Sequence, residues 1–444
     1  MSRQEPKTAA HESLRPFALE LPSRIPYRWL TVTLVLLTLA GCLVGILVPA
    51  GIGWDFACFY DAGRKVLGGQ IGDLYDPSAL IGGQAPQGEM AFWGAPISSY
   101  FYAPLGWLSP HVALMVFKTE STLALLVALA LLYGHARKFV EPAAQEAFAA
   151  CFALLACVYQ PFWTIYRVGG QTTPTVLLLL VAALLCHTAS RFFLSSFCVI
   201  VAVLIKPTFV SLLAFLMLVS GPRFVRVALV VLLAVVAVSL LTMGWSVHQE
   251  FLLRLRQGAS SSTVWVYNSA LTVWIENLRL LSDPLPTTAS RPFALAAAIT
   301  AIRVAVLLLF VRLYFTARAP RWSAPAQRHR SFLLAILFSL LIAPVVWEHY
   351  LALLFVPLIY VVASHRYFSH AALWMVACIF VVALGQNIIF VNWLSTHFAF
   401  DTVGKLVAVG LFKSAPLLLT FVLLWRHSNE LFESYHAPAW NALR

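Results

Sequence analysis

An all-α polytopic membrane fold is predicted by three features of the sequence. Hydrophobic residues make up 61% of its 444 positions and charged residues only 11%, against about 25% charged in soluble domains. The apolar runs are long and continuous, which suits helices that satisfy their own backbone groups in lipid and not the alternating strands of a β-barrel. Basic residues recur between those runs in the pattern expected of cytoplasmic loops.

The same bias explains the net charge of +12. With no soluble basic domain to carry it, nucleic acid is not an expected partner; the lipid bilayer is. Of the seven cysteines, Cys58 alone lies in an expected loop, and no CxxC pair or zinc-ligand spacing occurs. The polar N-terminus is too long before the first apolar run for a cleaved signal peptide. Residues 1–28 are therefore expected to form a cytoplasmic tail, 29–425 the transmembrane domain, and 426–444 a second cytoplasmic tail.

A spanning helix needs about 20 apolar residues. The first run is 29–49, preceded by Arg15, Arg24 and Arg28, so its far end is expected outside. A large first outer loop follows, about 51–110, rich in Gly and Pro, with amphipathic stretches such as 59–67 that suit surface helices. Further runs are expected at about 111–133, 144–166 and 172–189. The stretch 192–220 is broken by Lys206-Pro207 and reads as a hairpin of two short spans with Lys206 at an outward tip; one long kinked helix is the rival. Runs at about 225–245 and 292–315 flank a second large outer loop, 246–292. A second broken hairpin, 331–363, has its tip at 344–349, and runs at about 371–391 and 405–425 complete about twelve spans.

Several polar points are thereby predicted on one outward side: Asp55, the Arg167–Gln171 corner, Lys206, Glu348-His349 and Tyr267-Asn268-Ser269. Ionisable groups at membrane depth usually mark a substrate path or a paired site. One carboxylate facing several cations suits transfer of a sugar from a lipid phosphate. Asp55 would take the proton of the attacking acceptor hydroxyl. The phosphate leaving group needs cations rather than a general acid, whereas a glycosidase needs a second carboxyl group. Lys206, Arg167 and His349 are the candidates for holding the phosphate, and Tyr60, Gln171, Asn268 and Glu348 for sugar or acceptor hydroxyls. No cofactor is expected and no metal ligand is assigned, although metal-assisted chemistry through Asp55 with Asp61 or Glu348 stays open, with no ligand spacing behind it. Each residue also has a plainer reading: Asp55 as a helix N-cap, Lys206 as a snorkelling cation, Asn268 as a turn residue.

The motifs WDFACFYDAGRKVLGG, LYDP, SSYFYAPLGWLSP, RVGGQTTPTVLLLL, IKPTFVSLL, YNSAL and APVVWEHYLALLFVPL occur in this order over about residues 30–365. Taken together the set resembles glycosyltransferase family 87, integral-membrane enzymes of the GT-C fold that include polyprenol-phosphate-mannose-dependent mannosyltransferases. The resemblance implies a GT-C-type bundle and an inverting transfer of a hexose, with mannose the first candidate, from a polyprenyl-phosphate donor to a glycolipid or glycan acceptor. It places the reaction on the outer, periplasmic side of the cytoplasmic membrane. The family's first-loop aspartate corresponds to Asp55, its Lys-Pro motif to Lys206 and its late histidine to His349. The chain departs at Thr173, where relatives commonly carry Asn. Two other classes share parts of the pattern: a transporter or flippase of a lipid-linked sugar, with broken helices and intramembrane charge, and a polymerase or ligase acting on a lipid-diphosphate glycan.

Overall fold

The computed structural model describes residues 26–48, 52–77, 91–167, 170–260, 268–271, 293–316, 324–364, 370–384 and 414–426. These are almost entirely helical, and the only extended pairing among them is an isolated bridge between Asn268 and Trp347. Most of both expected tails lies outside the described residues.

Helix α1, Tyr27–Leu47, carries its apolar side chains outward: Trp29, Leu36, Leu43 and Leu47 are all more than half exposed. So broad an apolar surface is untenable in water and is at home in lipid. By length and composition four described helices can cross a membrane, or five counting one bent pair. The four are α1, a helix including α3 (Pro110–Ala136), α9 (Pro222–Met243) and α11 (Phe293–Thr316). Shorter apolar helices complete the bundle: α6 (Thr173–Thr188), α7 (Phe192–Ile205), α8 (Val210–Val219), α13 (Phe355–Ala363), α14 (His370–Leu384) and α15 (Ser414–Arg426). Helix α12, Ala324–Ile342, is buried almost all round from His329 to Leu341 and forms the centre of the core.

The expected single span over 144–166 is instead two helices, α4 (Gln145–Val158) and α5 (Gln160–Arg167), bent by 44°. Pro161 is the cause: it has no N–H for the carbonyl of Cys157 and its ring crowds that carbonyl. The Cys157 oxygen accepts from the Trp163 indole at 2.7 Å instead.

The described parts of the first outer loop, 52–77 and 91–110, are folded tightly. Helix α2, Trp54–Leu67, begins earlier than the sequence suggests and buries Phe56 and Tyr60 against Tyr102 and Phe117. It lies so close to the 3-10 segments Pro96–Phe101 and Ala103–Trp107 that a Cβ on Gly63 would stand 2.2 Å from the Tyr102 carbonyl oxygen. The start of the expected second loop is also helical: α10, Trp245–Ser260, sets Phe251 against Tyr75.

Two hairpins organise the bundle. His187, near the end of α6, stands 3.5 Å from Ser195 Oγ at the start of α7 and 3.0 Å from Ser220 Oγ just after α8. Helices α7 and α8 therefore start and finish at one level, and Lys206 occupies the tip between them. One kinked helix cannot meet both contacts. Likewise His329, early in α12, packs on Tyr360 late in α13 with ring centroids 4.3 Å apart, which leaves residues 343–348 at the other end. That tip leads into the 3-10 turn Glu348–Leu354.

Candidate active site

Both tips meet the start of α2. Asp55 sits in the first turn of α2 but does not cap it; Gly53 is the N-cap. The Asp55 carboxylate instead accepts a hydrogen bond from the Gln171 carboxamide nitrogen. The other end of that carboxamide, Oε1, lies 3.5 Å from Lys206 Nζ. Lys206 Nζ is also 3.3 Å from His349 Nε2 and 4.3 Å from the centre of the Tyr350 ring. Four chain segments thus converge: α2, the corner before α6, and the two hairpin tips.

Local sequence explains each position. Gly170 adopts φ +103°, a left-handed conformation that favours glycine, and turns Gln171 inward. The Gln171 carbonyl accepts from Ser121 Oγ of α3 at 2.8 Å, which fixes the corner. Lys206 sits in extended backbone between α7 and Pro207, where the helix must stop. The second tip is fixed by Asn268, whose side-chain oxygen accepts from Val346 N at 2.9 Å and from Ala270 N at 3.0 Å.

Gln171, Lys206, Glu348 and His349 are buried, whereas Asp55 keeps an exposed side chain although protein closes around it. The crowding, which strips water from the carboxylate, pushes the Asp55 carboxyl above the usual range. The Lys206 charge and the Gln171 hydrogen bond pull the other way without cancelling that effect. The arrangement is an accessible carboxylate tuned towards proton acceptance, with the Lys206 amine beyond it across one amide; burial pulls that amine down to about 7, with the Asp55 charge pulling the other way.

The remaining sequence candidates fall into three groups. Tyr60 is buried and donates its hydroxyl to the Leu108 carbonyl at 2.7 Å, so it ties α2 to the segment ahead of α3. Glu348 is buried beside His349 in the same 3-10 turn. Arg167 ends α5, but its side chain lies outside the described residues. Ser121 and Tyr350 are contacts that sequence reasoning missed. For Ser121 a signal existed: the polar streak 118–122 interrupts an otherwise apolar run. Its Lys118 donates to the Gly45 and Val48 carbonyls at 3.2 and 3.3 Å, closing the end of α1. Among the described residues no group of three His, Cys, Asp or Glu side chains is placed to hold a metal ion.

Residues 92–344, more than half of the chain, match the family model described as glycosyltransferase family 87. The chain belongs to glycosyltransferase family 87. It is therefore a glycosyltransferase, and its apolar helices place it in a membrane. The matched stretch includes Gln171, Lys206 and Asn268, whereas Asp55, Tyr60, Glu348 and His349 lie beyond its limits. A search of curated proteins returned no match.

Proposed function

We propose that this family 87 enzyme transfers a hexose, with mannose the first candidate, from a polyprenyl-phosphate donor to a hydroxyl of a glycolipid or glycan acceptor. The observation that carries the reading is the Asp55–Gln171–Lys206 chain, which sets a base and a cation at the two ends of one amide. The acceptor hydroxyl gives its proton to Asp55 while its oxygen bonds to the anomeric carbon. The bond from that carbon to the phosphate oxygen breaks, and the electron pair leaves with the phosphate. Lys206, with His349 and Arg167, stabilises that charge. Attack opposite the leaving group inverts the anomeric centre.

Gln171 and Glu348 are assigned to sugar or acceptor hydroxyls. Tyr60 and Asn268, whose oxygens meet backbone groups, act as positioning residues. The bundle is read as a GT-C-type fold of about twelve spans, counting the short helices of both hairpins. The basic bias puts the His187 end inside and the Asp55 end on the outer face of the cytoplasmic membrane.

The test offers purified enzyme in lipid a radiolabelled mannosyl polyprenyl monophosphate, a glucosyl counterpart, and a sugar on polyprenyl diphosphate. Labelled product from a monophosphate donor is expected. Transfer from the diphosphate alone, or sugar-lipid movement across vesicles with no product, contradicts the reading.

A further inference from the structure

The first turn of α6 begins directly after Gln171 and carries a feature the catalytic scheme leaves unused. Thr172 is its N-cap and Thr173 its first residue. Both side chains are more than nine-tenths buried, at 3% and 1% exposure. Neither hydroxyl has a hydrogen-bond partner among the described residues. A threonine at an N-cap ordinarily turns its oxygen onto the backbone N–H two or three residues on. Thr172 makes no such bond and has helical backbone angles, φ −80° and ψ −7°. A buried hydroxyl without a partner is costly, and here two occur side by side.

Their setting favours an anion. Helix α6 is 16 residues long, so its N-terminus presents the Thr173 and Thr175 N–H groups, Pro174 having none, and the positive end of the helix dipole, with the Glu120 carboxylate held off the turn's start by the Thr175 hydroxyl at 2.8 Å. Lys206 Nζ approaches the side chain of the preceding residue, Gln171. The Gln171 amide also donates to the Asp55 carboxylate, so the base lies on the far side of the same side chain from Lys206.

We propose that the N-terminus of α6, with the Thr172 and Thr173 hydroxyls donating and Lys206 alongside, is the subsite for the non-bridging oxygens of the single polyprenyl-linked phosphate, a diester in the sugar donor and a monoester once the sugar has left. This rests on the donor reading above and locates its phosphate. The single phosphate matters: two hydroxyls and one cationic side chain suit one phosphoryl group rather than a diphosphate.

The experiment measures binding of a polyprenyl monophosphate, the corresponding polyprenol and inorganic phosphate to the full-length protein in lipid nanodiscs. Wild type, Thr172→Val/Thr173→Val and Thr172→Ser/Thr173→Ser are compared, each with its unfolding temperature. Valine keeps the shape and removes the unpartnered hydroxyl, so the unfolding temperature should hold or rise. Polyprenyl phosphate should bind the valine pair about tenfold or more weakly. Polyprenol should bind wild type and the valine pair alike, and the serine pair should bind the phosphate like wild type. Phosphate-selective binding in wild type that the valine pair keeps overturns this subsite while the donor reading survives. No preference for polyprenyl phosphate over polyprenol in wild type contradicts the donor reading itself. Inorganic phosphate binding as tightly as the lipid overturns the lipid assignment. Should the valine pair unfold, the two single valine variants repeat the comparison, and unchanged phosphate binding in both overturns the subsite.

Discussion

Asp55 and Lys206 are joined through one side chain: the Gln171 carboxamide donates to the carboxylate and stands 3.5 Å from the ammonium. An amide cannot ionise, so it holds base and cation apart without becoming a third titrating group. Gln171→Leu keeps the volume and removes both contacts. Transfer should fall on the order of tenfold to a hundredfold, with the fold retained in a thermal melt.

The same relationship sets a pH dependence. Burial raises the Asp55 carboxyl, and Lys206 and Gln171 each lower it. The base works only when ionised, so activity should rise with pH through an acid limb lying above the ordinary aspartate value of about 3.9. Removing either partner leaves desolvation less opposed. Lys206→Met or Gln171→Leu should move the limb to higher pH, read from kcat/KM profiles of the residual activity.

Stability should carry the opposite sign from that of a salt-bridged carboxylate. The folded state holds the Asp55 proton to higher pH than the unfolded chain does. Stability at this residue is therefore greatest at low pH and falls as pH rises from the unfolded value through the raised folded one. Asp55→Asn should abolish that part of the slope and melt no lower than wild type at neutral pH. Melts between pH 4 and about 8 check it, the range running from near the free aspartate value upwards.

Gly63 tests how α2 is seated. A Cβ there would stand 2.2 Å from the Tyr102 carbonyl oxygen, a backbone atom that cannot swing aside. Gly63→Ala should cost about 1–3 kcal/mol by overpacking and shift Asp55 away from Gln171. A lower melting temperature together with reduced transfer is the expected pair of results.

Asn268 tests the second tip. Its oxygen serves two backbone N–H groups, those of Val346 and Ala270. Asn268→Ala leaves both without that acceptor, at about 1–3 kcal/mol for each buried donor left unsatisfied. Disorder of the tip should reach His349, so weaker donor binding should accompany the loss of stability. Asn268→Asp keeps the acceptor oxygen and should be milder for the melt.

Much of this was legible because lipid imposes length and continuity on apolar runs. Lys206-Pro207 announced a break, and Asp55, Gln171, Lys206 and His349 stood out as polar groups that apolar surroundings do not tolerate without reason. The structure brings those four together. What stayed hidden depends on contacts made across the bundle. The bend between α4 and α5 has its cause in Pro161, but that the Trp163 indole would take over the freed Cys157 carbonyl is a contact the sequence does not show. Tyr350 drew no assignment from the sequence, because only the fold brings Lys206 over its ring. Asn268 resembled a loop residue because its partner Val346 lies far along the chain.

The most direct test of Asp55 as the base is single-turnover transfer from a labelled polyprenyl-phosphate sugar by Asp55→Asn in lipid nanodiscs, with donor binding measured on the same sample. Asparagine keeps the shape and cannot take the proton. The account predicts donor binding close to wild type and a rate lower by roughly 10²–10⁴-fold. A near-wild-type rate from the folded variant contradicts it.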